Sequence, residues 1–127
     1  MYYVVQSSKS LEQAAADLEA AVVRHGFSVL HVHDLGAKIR SKGVEFGPDC
    51  KIFEVCNPVQ ASKVLSADLR LNMALPCRIS VFADESGTKI GMIRPVPMLS
   101  ALSDDKSLLK VAEEVEAKTT MMIDEAK

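Results

Sequence analysis

The fold of this chain is decided by residues 77–94, CRISVFADESGTKIGMIR. In the first half of this stretch, apolar side chains occupy alternate positions: Cys77, Ile79, Val81 and Ala83. Such alternation is typical of a β-strand with one buried face. A second apolar run follows the turn residues, so the stretch predicts a β-hairpin. We expect a two-residue loop, Ser86–Gly87, which would place Ala83 opposite Ile90.

Upstream of the hairpin, residues 10–26 predict an amphipathic helix. Ser10 and Gln13 have the spacing of a capping box, in which Ser10 caps an amide and Gln13 reaches back. Behind them, apolar residues recur at helical spacing: Leu11, Ala14, Ala15, Leu18, Ala21 and Val22. Gly26 supplies the left-handed conformation that ends a helix.

The remaining patterns predict strands over residues 1–6, 27–34 and 50–56, and helices over 35–42, from Asn57 to about Ser66, and from about Asp105. We expect residues 67–76 to form a connection, and Pro95 and Pro97 to end the second strand of the hairpin. The predicted order is therefore β-α-β-(short α)-β-α-β-β-α. Hairpins and helices in this order favour an α+β fold, a two-layer sandwich of a mostly antiparallel sheet with helices on one face. We expect residues 1–127 to form a single domain, since the chain is too short for two ordinary ones.

Composition limits the function classes. The 127 residues are 48% hydrophobic and carry a net charge of −2, which argues against nucleic acid as a partner. No apolar run is long enough to cross a membrane, and the first residues lack the basic region of a signal peptide. We therefore expect a cytoplasmic protein, with neither membrane nor nucleic acid among its partners. Its three cysteines, an odd number, argue against a disulfide framework.

Cys56, Asn57 and Cys77 are the leading candidates for a ligand site. Asn57 before Pro58 predicts a capped helix start, and Cys77 opens the next strand. We expect a small ligand, or an anion at the helix N-terminus, to bind where that helix start meets that strand. The simplest alternative is structural: an N-cap and two small buried thiols.

Two further hypotheses invoke chemistry. Cys56 or Cys77 as a nucleophile would make the chain a thiol-dependent enzyme or a sulfur carrier, and this requires an accessible thiol of lowered pKa. His31 and His33 alternate on one predicted strand, and with a cysteine they would suit zinc, copper or a metallocofactor. We expect the face that carries them to hold Phe27 and Val29 as well, so ordinary sheet histidines are the simpler reading. No cofactor is identified by the sequence.

The chain resembles the domain of unknown function 302 family. The resemblance rests on Cys56-Asn57-Pro58 after a strand, followed by Leu75-Pro76-Cys77 at the start of the next. Gly26-Phe27 and the later Asp34 also fit the family pattern. It implies the two-layer α+β fold and a homodimer, and it implies no activity. We therefore expect a homodimeric domain that binds an unidentified small ligand or has an accessory role. The sequence favours this function over that of an enzyme.

Overall fold

The computed structural model describes residues 1–127. Its five strands are β1 (Tyr2–Ser7), β2 (Ser28–Asp34), β3 (Cys50–Cys56), β4 (Cys77–Asp84) and β5 (Gly87–Ile93). The helices are α1 (Leu11–Arg24), α2 (Leu35–Ser41), α3 (Pro58–Ala67), α4 (Pro95–Leu102) and α5 (Lys106–Ala126), with a 3-10 helix at Leu69–Ala74. None of the helices combines the length and the apolar character needed to cross a bilayer.

The strands form one antiparallel sheet in the order β1-β5-β4-β3-β2. One face of it packs against α1 and α5, while α3 and α4 pack against α5. The core between these layers is a single cluster of 23 buried apolar residues, which includes Leu18 of α1, Ile79 of β4 and Met122 of α5. The predicted α+β two-layer sandwich is therefore confirmed.

Helix α1 begins and ends where the sequence predicts. Ser10 Oγ accepts a hydrogen bond from the Gln13 amide at 3.1 Å, and Gly26 adopts a φ of +78° after the last turn. The other expected contact of the capping box, in which the Gln13 side chain reaches back to Ser10, was predicted wrongly. Gln13 Nε2 donates instead to Asp17 Oδ1, one helical turn further on, at 2.8 Å. The cap therefore depends on Ser10 alone.

The predicted hairpin forms, but in a different register. Ala83 lies opposite Thr88, and Ile90 pairs with Val81. The chain turns at Glu85 and Ser86, because the Asp84 carboxylate accepts hydrogen bonds from both the amide and the hydroxyl of Ser86. A hydrogen bond from Lys89, together with these two from Ser86, lowers the pKa of Asp84 to about 2. A shift of two residues leaves every side chain on its predicted face, so hydrophobic alternation did not distinguish the two registers.

Strand β2 contains a bulge that alternation did not predict. Val29 lies opposite Val55, but His31 lies opposite Glu54, so Leu30 is an extra residue without a partner. Beyond the bulge, each side chain of β2 lies on the opposite sheet face from the one that simple alternation predicts. His31 and His33 consequently lie on the opposite face from Val29, and the expectation that they share a face with Phe27 and Val29 is wrong.

Two elements were not predicted. Leu69–Ala74 was expected as a connection and forms a 3-10 helix, whose Leu71 is buried. Pro95 was expected to end the hairpin strand and instead starts α4. Proline suits the first turn of a helix, where the backbone amide it lacks has no partner in the helix. Both additions border the candidate site.

The second face of the sheet lies away from α1 and α5, and we call it the open face. By the strand register it holds alternate residues of every strand, among them Tyr2, Val4, Ile52, Phe82 and Ile93. Tyr2, Val4 and Ile93 are 76%, 47% and 50% exposed. A groove of about 520 Å³ borders these residues. Several apolar side chains of this sheet face are thus left in contact with solvent.

Candidate functional site

A cavity of about 270 Å³, here the ligand cavity, lies between the helix-covered face of the sheet and helices α3, α4 and α5. Thirteen of its 18 lining residues are hydrophobic, and none of the 18 is Asp, Glu, Lys, Arg or His. Its apolar wall draws on distant parts of the chain: Phe27, Val55, Val64, Leu99, Val111 and Val115. A cavity without charge is suited to an uncharged occupant, because a buried unpaired charge is costly.

The three residues predicted from sequence all line this cavity. Cys56 ends β3, and Asn57 follows it as the N-cap of α3. Cys77 begins β4 directly opposite Val55. Strand pairing therefore brings together two segments that are some twenty residues apart in the chain.

Asn57 holds the start of α3 and leaves no amide free there. Its side-chain Oδ1 accepts hydrogen bonds from Val59 N at 3.0 Å and Gln60 N at 3.2 Å. Ala61 N donates to the Asn57 carbonyl oxygen, and Pro58 has no amide hydrogen. An anion at this helix N-terminus would have to displace the cap, so the geometry argues against the anion alternative.

All three cysteines are free thiols. Burial raises the pKa of Cys77 to about 11, with a smaller contribution from the neighbouring Cys56. Burial raises the pKa of Cys56 as well. A nucleophilic cysteine requires the opposite shift, because the thiolate is the reactive form. The electrostatics therefore argue against the thiol-dependent alternative.

His31 and His33 take no part in the ligand cavity. Their rings lie edge to face with centroids 4.4 Å apart, and His33 Nε2 contacts Glu54 Oε1 at 2.7 Å. Cys56 pairs with Ser28 at the far end of β2, while Cys77 follows the face opposite the histidines. No three His, Cys, Asp or Glu side chains converge on one point. The arrangement therefore gives the predicted metal site of His31, His33 and a cysteine no support, and that site stays a prediction.

Gln60 is a lining residue that the sequence analysis did not identify. Its Nε2 donates to Glu114 Oε2 at 2.8 Å, whereas its Oε1 is buried without any partner. It is the only buried side-chain oxygen or nitrogen in the protein that lacks a hydrogen bond. Leaving such an acceptor unsatisfied costs about 1–3 kcal/mol. In the sequence, Gln60 looks like an ordinary polar residue of a first helical turn, and only its position three residues after the cap marks it.

Comparisons with known proteins agree with this architecture. A family model described as "Domain of unknown function DUF302" matches residues 3–126. The crystal structure of an uncharacterized conserved DUF302 protein from Bacillus stearothermophilus is similar, with a TM-score of 0.92 and 32% sequence identity. The match covers 99% of this chain and 98% of that one. No curated protein matches this chain. The chain therefore belongs to the DUF302 family, as the Cys56-Asn57-Pro58 and Leu75-Pro76-Cys77 motifs indicate.

Proposed function

We propose that this protein is a non-catalytic domain that binds a small uncharged molecule in the ligand cavity. The observation that carries the proposal is that Cys56, Asn57 and Cys77 line one apolar cavity that has no charged wall. Apolar concave sites with a few polar groups are the usual form of small-molecule sites. The cavity offers no acid–base pair, and its thiols are held in the protonated form, so binding is favoured over catalysis.

The size of the cavity limits the ligand. An apolar protein cavity of about 150 Å³ accommodates benzene. The ligand cavity, at about 270 Å³, has room for a bicyclic ring system or a chain of similar bulk.

The binding proposal is tested by titrating ¹⁵N-labelled protein with indole and benzofuran, two uncharged bicyclic probes, in NMR experiments. We expect saturable shifts of amides around Val64, Leu99 and Val111. A Val111→Phe variant fills the cavity and should abolish those shifts. The matched control is Val23→Phe, at a position on α1 that is 64% exposed. Shifts that are scattered over the surface, or that survive Val111→Phe in a folded protein, would refute the proposed site.

The proposal includes a homodimer that forms through the open face. The sheet has five strands, and neighbouring strands lie about 4.8 Å apart. Each strand has six to eight residues, with a rise of about 3.3 Å per residue. The area of the open face is therefore about 550 Å². Two such faces bury about 1,100 Å² in all, which is near the lower limit for specific interfaces. A two-fold interface brings the same patch from both copies together.

The charges of the open face suit a second copy of the chain. By register its charged side chains are Glu54, Arg78, Asp84 and Lys89, two of each sign. Lys89 already pairs with Asp84, and Glu54 with His33, within one chain. Two copies can therefore meet without net repulsion, around the apolar part of the face that contains Val4 and Ile93.

Sedimentation equilibrium tests the dimer. We expect a dimeric wild type and a folded monomer for the double variant Val4→Glu/Ile93→Glu, because both sites are about half exposed in the single chain. Val23→Glu, on the opposite side of the protein, should remain dimeric. A monomeric wild type at high micromolar concentration would refute this part of the proposal. We also propose a cytoplasmic location, which the three free thiols support.

A further inference from the structure

One of the residues that line the ligand cavity, Gln60, has a side-chain oxygen that accepts no hydrogen bond. Gln60 Oε1 is buried and has no hydrogen-bond partner. The orientation of the amide is set by Glu114, since its Oε2 accepts a hydrogen bond from Gln60 Nε2 at 2.8 Å. Rotating the amide by half a turn would place two oxygens against each other. Oε1 is therefore held on the side away from Glu114 as an acceptor.

The other polar side chains of the cavity lining are hydrogen-bonded elsewhere or bond weakly. Asn57 Oδ1 accepts two backbone amides, and Asn72 Nδ2 donates to the Leu69 carbonyl oxygen at 2.6 Å. The thiols of Cys56 and Cys77 are protonated and are weak hydrogen-bonding groups. Gln60 Oε1 is thus the buried side-chain acceptor of the cavity lining that remains unused.

We infer that the ligand is an uncharged, mainly apolar molecule with one N–H or O–H donor, and that this donor is directed to Gln60 Oε1. The inference rests on the proposed binding function and adds the chemical class of the ligand. An apolar wall of this kind discriminates weakly between molecules of equal shape. A buried acceptor discriminates strongly, because an analogue without the donor leaves it unpaired. A charged analogue is excluded because the wall offers it no counter-charge.

Indole and benzofuran test the donor, because they share a bicyclic shape and differ in the N–H that only indole carries. We expect wild-type protein to bind indole at least tenfold more tightly than benzofuran, as measured by the NMR titration. Gln60→Leu should abolish this preference by weakening indole binding, while benzofuran binding stays equal or improves. Indole-3-carboxylate, which is negatively charged, should not bind.

Gln13→Leu is the matched control, because Gln13 occupies the same third position of a capped helix in α1 and lies outside the cavity. It should leave the preference unchanged. Equal affinity of the wild type for indole and benzofuran, with both held in the cavity, would overturn the inference and leave the proposed function standing. Failure of both probes to shift the cavity amides would overturn the proposed function together with the inference. A preference that persists in Gln60→Leu would overturn the role of Gln60.

Discussion

Gln60 Nε2 and Glu114 Oε2 lie 2.8 Å apart and join the first turn of α3 to α5. We expect Glu114→Ala to lower the free energy of unfolding by about 0.5–1.5 kcal/mol, the usual contribution of one hydrogen bond. Without Glu114 the amide of Gln60 rotates freely, so the preference for indole over benzofuran should fall as well. Glu113→Ala, at the neighbouring exposed position, serves as the control in urea unfolding and in the titrations. An unchanged preference would show that Glu114 does not orient Gln60.

The Asn57 cap should contribute measurably to stability. Asn57→Ala removes the acceptor of the Val59 and Gln60 amides and should destabilise the protein by about 1 kcal/mol in urea unfolding. Asn57→Asp keeps an oxygen acceptor at that position and should retain most of the stability. Because Gln60 belongs to the turn that Asn57 holds, Asn57→Ala should also weaken indole binding. If Ala and Asp variants are equally stable, the cap makes no net contribution.

The raised pKa of Cys77 predicts a loss of stability in alkali. The unfolded thiol titrates near its ordinary value of 9.0, while the folded thiol titrates near 11. Between these values the folded state holds the extra proton, so the stability present below pH 9 is lost as the pH rises. The decrease attributable to this thiol is at most about 1.4 kcal/mol per pH unit. Urea unfolding at several pH values should show a steeper decrease for wild type than for Cys77→Ala, and equal slopes would contradict the prediction.

Gly91 is required by the close approach of β1 to β5. A Cβ at this position would lie 2.9 Å from the Tyr3 carbonyl oxygen and 2.9 Å from Val4 Cγ2. We expect Gly91→Ala to destabilise the protein by about 1–3 kcal/mol, since a backbone oxygen cannot move without shifting β1. Gly47→Ala is the control, because nothing lies within 4 Å of its added Cβ. The melting temperatures of the two variants are compared by thermal unfolding. Similar melting temperatures would refute the prediction that Gly91 is required.

Local signals in the sequence predicted the starts of the elements well. Ser10, Asn57 and Asp105 all serve as N-caps where the sequence places helix starts. These signals are reliable because a cap acts on amides within three residues of itself. Pro95 was misread for a related reason: the same residue suits both the end of a strand and the first turn of a helix.

The candidate site was predicted only in part. Cys56, Asn57 and Cys77 were identified because they belong to a motif, but the apolar wall of Leu99, Val111 and Val115 belongs to helices that the motif does not include. Gln60 was missed because its burial depends on the packing of α3 against α5. The facing of His31 and His33 was mispredicted because a bulge at Leu30 leaves no trace in the alternation of residues.

The sequence by itself determined the class of the fold, the helix caps and the side of the sheet on which most apolar residues lie. Those properties depend on interactions between residues that are near neighbours in the chain, and periodicity records them. Only the tertiary structure decided the strand order, the hairpin register, the placement of His31 and His33 on the opposite sheet face from Cys77, and the unpaired state of Gln60 Oε1. Each of these depends on which distant segments meet, and pairings that bury the same apolar faces are indistinguishable by hydrophobic pattern alone.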